Sequence, residues 1–237
     1  MELSDDHFDA GRHPAPRPDS SRGSGSQYLR DEEVQVLAGQ ASVAGHLTIP
    51  EKPSGIVVFA HGSGSSRHSP RNRYVAQVLN VSGFGTLLFD LLTVEEERTR
   101  ANVFDICMLA SRLVGVTSWL ADQADAASLP IGYFGASTGA GAALVAAADP
   151  RVPVKAVVSR GGRPDLAGGA LTKSFAPTLL IVGGRDHVVI DLNHRAQAMI
   201  PGRCDLTIVP GAGHVFEEPG TMEQVAKLAC DWFSEYM

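Results

Sequence analysis

Several things are scarce in this chain. Only three cysteines, Cys107, Cys204 and Cys230, occur in 237 residues, and their wide separation matches neither a zinc knuckle nor a disulfide framework. Each lies in an apolar stretch, so the three read as buried free thiols, which fits a reducing, cytoplasmic setting. Positive charge has no surplus: 20 Lys and Arg stand against 26 Asp and Glu, a net charge of −6. A protein whose main partner is nucleic acid needs cations to neutralise phosphates, so that class is set aside. No apolar run is long enough to span a bilayer, which argues against a membrane partner. The opening "MELSDDHFDAGRHPAPRPDSSRGSGSQ" has no apolar core of the kind a secretory signal requires. Its Pro, Gly, Ser and Arg content reads as a flexible tail over residues 1–30.

What is present is apolar substance in short pieces. Hydrophobic residues make up 44% of the chain and charged ones 19%, enough to bury a sizeable core over residues 31–237. "EVQVLAG" and "SVAGHLTIP" alternate like two antiparallel strands. "GIVVFAHG", "GTLLFD", "IGYFGA", "VKAVVSR", "APTLLIVGG" and "RCDLTIVPG" are continuous apolar runs, the pattern of strands covered on both faces. Helical patterns separate them: "NRYVAQVLNVSG", "NVFDICMLASRLVGVTSWLADQ" with Asn102 as a cap, a stretch from about Asp191 to Met199, and "TMEQVAKLACDWFSEYM" with Thr221 as N-cap. Strands alternating with helices predict an α/β fold, a mostly parallel sheet between helical layers, in one domain.

The segment "LPIGYFGASTGAGAALVAAADP" changes character at Ser137, from buried strand to alanine-rich helix. Strand, Gly-x-Ser-x-Gly, then helix is the arrangement of a nucleophile elbow. The turn is so tight that side chains at positions 135 and 139 would strike the neighbouring helix or strand, hence Gly135 and Gly139. The helix that follows aims its first amides at the same point and favours developing negative charge there. Neither glycine-rich loop reads as a nucleotide site: "GASTGAG" lacks a P-loop lysine, and "HGSGSSR" places Arg67 where a dinucleotide fingerprint wants a small residue.

A serine needs a base, and the base an orienting acid. The order Ser, acid, His is met by Asp186 after "TLLIVGG" and His214 in "LTIVPGAGHVFEEPG". Asp191 is the rival acid but suits the N-cap of the next helix, and His187 should point away from the site. The oxyanion donors expected are the amides of Thr138 and Ser63. His61 is a candidate substrate contact that more simply braces its loop. Arg160 and Arg163 stand just beyond a strand end; either could hold a substrate carboxylate, or brace loops by pairing with Asp165, Glu217 or Glu218. The mechanism calls for no metal and no organic cofactor.

At "HGSGSS", "GASTGAG", "VGGRDHVV" and "GAGHVFEEPG" the chain resembles the α/β-hydrolase superfamily, and within it the small dienelactone-hydrolase-like enzymes. The likeness runs from about Glu33 to the C-terminus. It implies an eight-stranded sheet with one antiparallel strand near the start, a nucleophile at Ser137, an acid at Asp186 and a base at His214. True dienelactone hydrolases carry a cysteine at the nucleophile position, so the serine here favours general ester hydrolysis, with a lactone, amide or peptide as the alternative bond. A non-catalytic binding module is disfavoured by the retained serine and histidine. The short link from "VVSR" to "APTLL" leaves little room for a lid, which suits a small soluble ester as substrate.

Overall fold

The computed structural model describes residues 28–237, so the expected tail lies outside the described residues except for positions 28–30, which belong to the first strand. Strands β1 (Tyr28–Ala38) and β2 (Ala41–Pro50) form an antiparallel hairpin. The rest alternates: β3 (Ile56–Ala60), helix α1 (Pro70–Val81), β4 (Gly85–Phe89), the one-turn helices α2 (Val94–Glu97) and α3 (Arg100–Val103), α4 (Ile106–Ala121), β5 (Ile131–Ala136), α5 (Thr138–Ala147), β6 (Val154–Arg160), a 3-10 segment (Pro164–Lys173), β7 (Thr178–Gly183), α6 (His187–Gln197), β8 (Cys204–Val209) and α7 (Thr221–Tyr236). The eight strands lie in the order β1-β2-β4-β3-β5-β6-β7-β8. Only β2 runs against its neighbours, as an α/β-hydrolase sheet requires.

Strands β3, β4, β5 and β7 are buried at every residue, because helices cover both faces. Successive side chains of one strand feed opposite cores. Val58 and Ala60 pack with Leu109, Leu113 and Leu144 under α4 and α5, while Val57 and Phe59 pack with Val75, Leu79 and Phe233 under α1 and α7.

The chain leaves β3 through α1 to one side and returns through α4 to β5 on the other, so β3 and β5 are neighbours with loops turning opposite ways. Such a switch point opens a crevice at the carboxyl edge of the sheet. It places the loop after β3 beside the junction of β5 and α5.

Four sequence expectations are corrected. Helix α4 starts at Ile106, because Asp105 rather than Asn102 caps it, accepting the Met108 amide at 2.9 Å; the Asn102 side chain donates to the Glu96 carbonyl instead. Helix α6 begins at His187, four residues early, which leaves Asp191 exposed in its interior. Gly220 occupies the N-cap of α7, and Thr221 is its first residue. The cysteines are not buried: Cys107 falls on the outward face of α4 and is exposed, while Cys204 and Cys230 are half-buried.

Candidate active site

Ser137 joins β5 to α5 with φ 50 and ψ −120, a left-handed geometry that a non-glycine residue adopts only under constraint. The constraint is steric. A Cβ on Gly135 would lie 2.4 Å from Ala140 Cα, and one on Gly139 would lie 2.2 Å from the Ala60 carbonyl oxygen. Both glycines therefore let α5 start hard against its own strand and the end of β3. The Ser137 amide donates to the Arg160 carbonyl (3.3 Å), and its carbonyl accepts the Arg163 amide (3.0 Å).

Asp186 stands at the N-cap of α6, yet its side chain caps nothing. Its Oδ2 instead lies 2.6 Å from His214 Nδ1. A carboxylate only accepts, so Nδ1 carries the proton and Nε2 is left with a lone pair. The loop bearing His214 is fixed on three sides. Both Glu218 carboxylate oxygens accept the Gly213 amide (3.1 and 3.0 Å), which holds the Glu218 carboxyl below its usual range. Phe216, buried at φ 57, lies under the Arg160 guanidinium at 5.9 Å. Gly161 leaves room for the loop: a Cβ there would lie 2.8 Å from the His214 carbonyl oxygen. Asn193 in α6 donates to the Gly162 carbonyl (3.1 Å) and ties the acid's helix to the same turn. His187, the first residue of α6, is exposed.

The Ser137 amide and the His214 carbonyl thus converge on consecutive residues, Arg160 and Gly161, at the end of β6. Among the described residues no hydrogen bond joins Ser137 Oγ to His214. Such links commonly run long in free enzymes and tighten around substrate.

On the other side of Ser137 the loop after β3 approaches so closely that a Cβ on Gly62 would lie 3.0 Å from Ser137 Cβ. His61 holds this loop: Nδ1 donates to the Gly62 carbonyl (3.0 Å) and Nε2 accepts the Leu91 amide (3.0 Å). Burial pushes the imidazole's pKa down and favours the neutral form that these two bonds require. With both ring nitrogens engaged, His61 braces the loop and has none left for substrate. The Ser63 amide is also engaged, donating to Thr138 Oγ1 at 2.9 Å.

A cavity of about 380 Å³ opens beside this loop, lined by Ser63, Thr138, Leu91, Leu92, Val103 and Leu109, with Glu97 at its side. The sequence reading missed these apolar lining residues. Their signal was present in "DLLT", an apolar pair just past a strand's carboxyl end, where ligand-facing loops gather.

Of the two arginines, Arg163 is held bidentately by Asp165 (2.8 and 2.7 Å), the loop-bracing role. Arg160 pairs with none of the expected acids. It is 7% exposed, donates to Asn72 Oδ1 at 3.3 Å and keeps a buried Nε without a partner. Burial, with the charge of Arg71 added, lowers its pKa to about 10. Neither arginine lines the cavity beside Ser63 and Thr138.

Residues 43–237 match the model of the dienelactone hydrolase family. The structure superposes on a dienelactone hydrolase from Anabaena variabilis with a TM-score of 0.86 and 56% identity, covering 89% of this chain and 99% of that one. Est1E from Butyrivibrio proteoclasticus shares the fold at 15% identity and a TM-score of 0.72, over 86% of this chain and 98% of its own. A Mycobacterium tuberculosis protein named a phosphoribosyl transferase is 78% identical over 209 residues, 88% of this chain. The match takes in 47% of that relative, so the chain spans about half its length.

Proposed function

Because the chain belongs to the dienelactone hydrolase family, we propose that it is a serine hydrolase cleaving small, soluble carboxylic esters through an acyl-enzyme intermediate. The observation that supports the reading is the Asp186–His214 bond at 2.6 Å, on a loop packed against Gly161, the residue after the Arg160 carbonyl that accepts the amide of Ser137, itself held at φ 50.

In the proposed cycle, Ser137 Oγ bonds to the ester carbonyl carbon while His214 Nε2 takes the hydroxyl proton. Asp186 accepts from Nδ1–H throughout, which keeps the Nε2 lone pair aimed outward and stabilises the imidazolium. The Thr138 amide, in the first turn of α5 with no acceptor inside its helix, receives the oxyanion; one such donor contributes roughly 3–4 kcal/mol. His214 then returns the proton to the departing alkoxide. Water, deprotonated by the same nitrogen, attacks the acyl carbon, and the carboxylic acid leaves as Ser137 regains its proton.

The cavity of about 380 Å³, with leucines and a valine on its walls, suits a short acyl chain. The relative named a phosphoribosyl transferase is matched over 47% of its length, and the serine hydrolase reading rests on the residues of this chain alone. A series of p-nitrophenyl esters tests the reading. Acetate and butyrate should be cleaved faster than octanoate, and Ser137→Ala should lose several orders of magnitude on all of them. A preference for octanoate would remove the small-ester assignment.

A further inference from the structure

The loop after β3 was expected to present the Ser63 amide to substrate, but that amide is already bonded to Thr138 Oγ1 at 2.9 Å. A hydroxyl that accepts one hydrogen bond still has its own proton to give. Among the described residues the Thr138 hydroxyl donates to no acceptor. Thr138 is 5% exposed, follows Ser137 directly and lines the cavity beside the loop after β3, which leaves its hydroxyl proton to be given to a ligand in that cavity. The β-branched side chain has few rotamers open to it in the first turn of a helix, and the Ser63 amide pins the one adopted.

We propose that the Thr138 hydroxyl is itself a donor to the oxyanion, with the Ser63 amide acting through it as a positioning group. The hole is then two donors on one residue, the Thr138 amide and the Thr138 hydroxyl. The Ser63 amide polarises the hydroxyl by donating to its oxygen, so that its proton is better given. No proton changes hands: the alkoxide of the tetrahedral intermediate accepts two hydrogen bonds and loses them when the carbonyl re-forms. Placing a donor where charge develops, rather than on the ground-state carbonyl, is what accelerates the chemical step.

The inference rests on the serine hydrolase reading, and the test separates the two. Thr138→Val keeps the shape and removes the hydroxyl; Thr138→Ser keeps the hydroxyl and removes the methyl. On p-nitrophenyl acetate, Val should lower kcat by about 10²-fold with KM within about threefold, and Ser should recover most of the loss. The affinity of a trifluoromethyl ketone, whose adduct mimics the tetrahedral oxyanion, should fall in Val by the same factor as kcat/KM.

If the hydroxyl merely occupies the Ser63 amide, Val frees that amide and kcat rises; that result overturns the proposal. A brace with no part in the chemistry would lower the melting temperature in Val and leave kcat and ketone affinity unchanged, which also overturns it. Should the wild type itself show no Ser137-dependent ester hydrolysis, the serine hydrolase reading fails first and takes this inference with it.

Discussion

Asp186→Asn separates catalysis from stability more cleanly than any other change at this site. The carboxylate's hydrogen bond to His214 Nδ1, at 2.6 Å, is the one that fixes the imidazole tautomer. An asparagine is the same size but presents an amide N–H₂ as readily as an oxygen. Turned toward Nδ1, that group forces the ring proton onto Nε2, the nitrogen that the proposed cycle needs free to take the Ser137 proton. The imidazolium formed during attack also loses its counter-charge. Wrong-tautomer substitutions of this kind lower kcat by roughly 10³–10⁴-fold, about 4–6 kcal/mol in the barrier. Stability should scarcely move. Asp186 caps no helix, and the His214 side chain is 44% exposed, so the pair adds about 0–1 kcal/mol, a few degrees at most in a chain of this size. The assay is kcat on p-nitrophenyl acetate beside a thermal melt followed by circular dichroism. A kcat within tenfold of wild type would refute the reasoning, and a large fall in melting temperature would show that Asp186 holds the fold instead.

Arg160→Met tests the buried cation. A pKa lowered to about 10 corresponds, at about 1.4 kcal/mol per pH unit, to a penalty on the order of 3 kcal/mol for keeping the charge buried. Losing the bond to Asn72 and the contact with Phe216 costs about 1 kcal/mol each, so the melting temperature should hold or rise slightly; a drop beyond about 5 °C contradicts this. His61 should make the fold acid-sensitive. Its folded pKa lies below the ordinary value of 6.5, so the unfolded chain binds more protons, and stability present above about pH 6.5 is lost as pH falls below it. His61→Asn should flatten the melting-temperature curve between pH 7 and pH 5, and an unchanged slope would show that another group sets it. Val103→Trp narrows the cavity; butyrate hydrolysis should fall about tenfold relative to acetate, and an unchanged ratio would mean the acyl chain lies elsewhere.

Strand identity was legible in the sequence because apolar runs such as "GIVVFAHG" are too short for a buried helix, rich in β-branched and aromatic residues and bounded by glycine, which suits a sheet covered on both faces. The elbow was legible for a related reason. Gly135 and Gly139 answer contacts of 2.4 and 2.2 Å that no side chain survives, and such positions leave a mark in composition. Helix starts were harder to read. Asp105 and Asn102 are both capable caps, and the choice depends on which one faces a free amide after the chain has turned through α2 and α3. Burial of the cysteines was misjudged because apolar neighbours in sequence say little about which face of a helix a residue occupies; Cys107 has Ile106 and Leu109 turned inward and itself turned out. The engaged Ser63 amide could not be read at all, since it depends on a rotamer of a residue 75 positions away.

The central claim is that Ser137 becomes a nucleophile because His214, oriented by Asp186, removes its proton. Reaction with a fluorophosphonate, followed by peptide mapping in a mass spectrometer, measures this directly. The account predicts one adduct per chain, on Ser137, formed far more slowly in Asp186→Asn and absent in His214→Ala. An adduct on another residue, or equal labelling of Ser137 when His214 is gone, would contradict it.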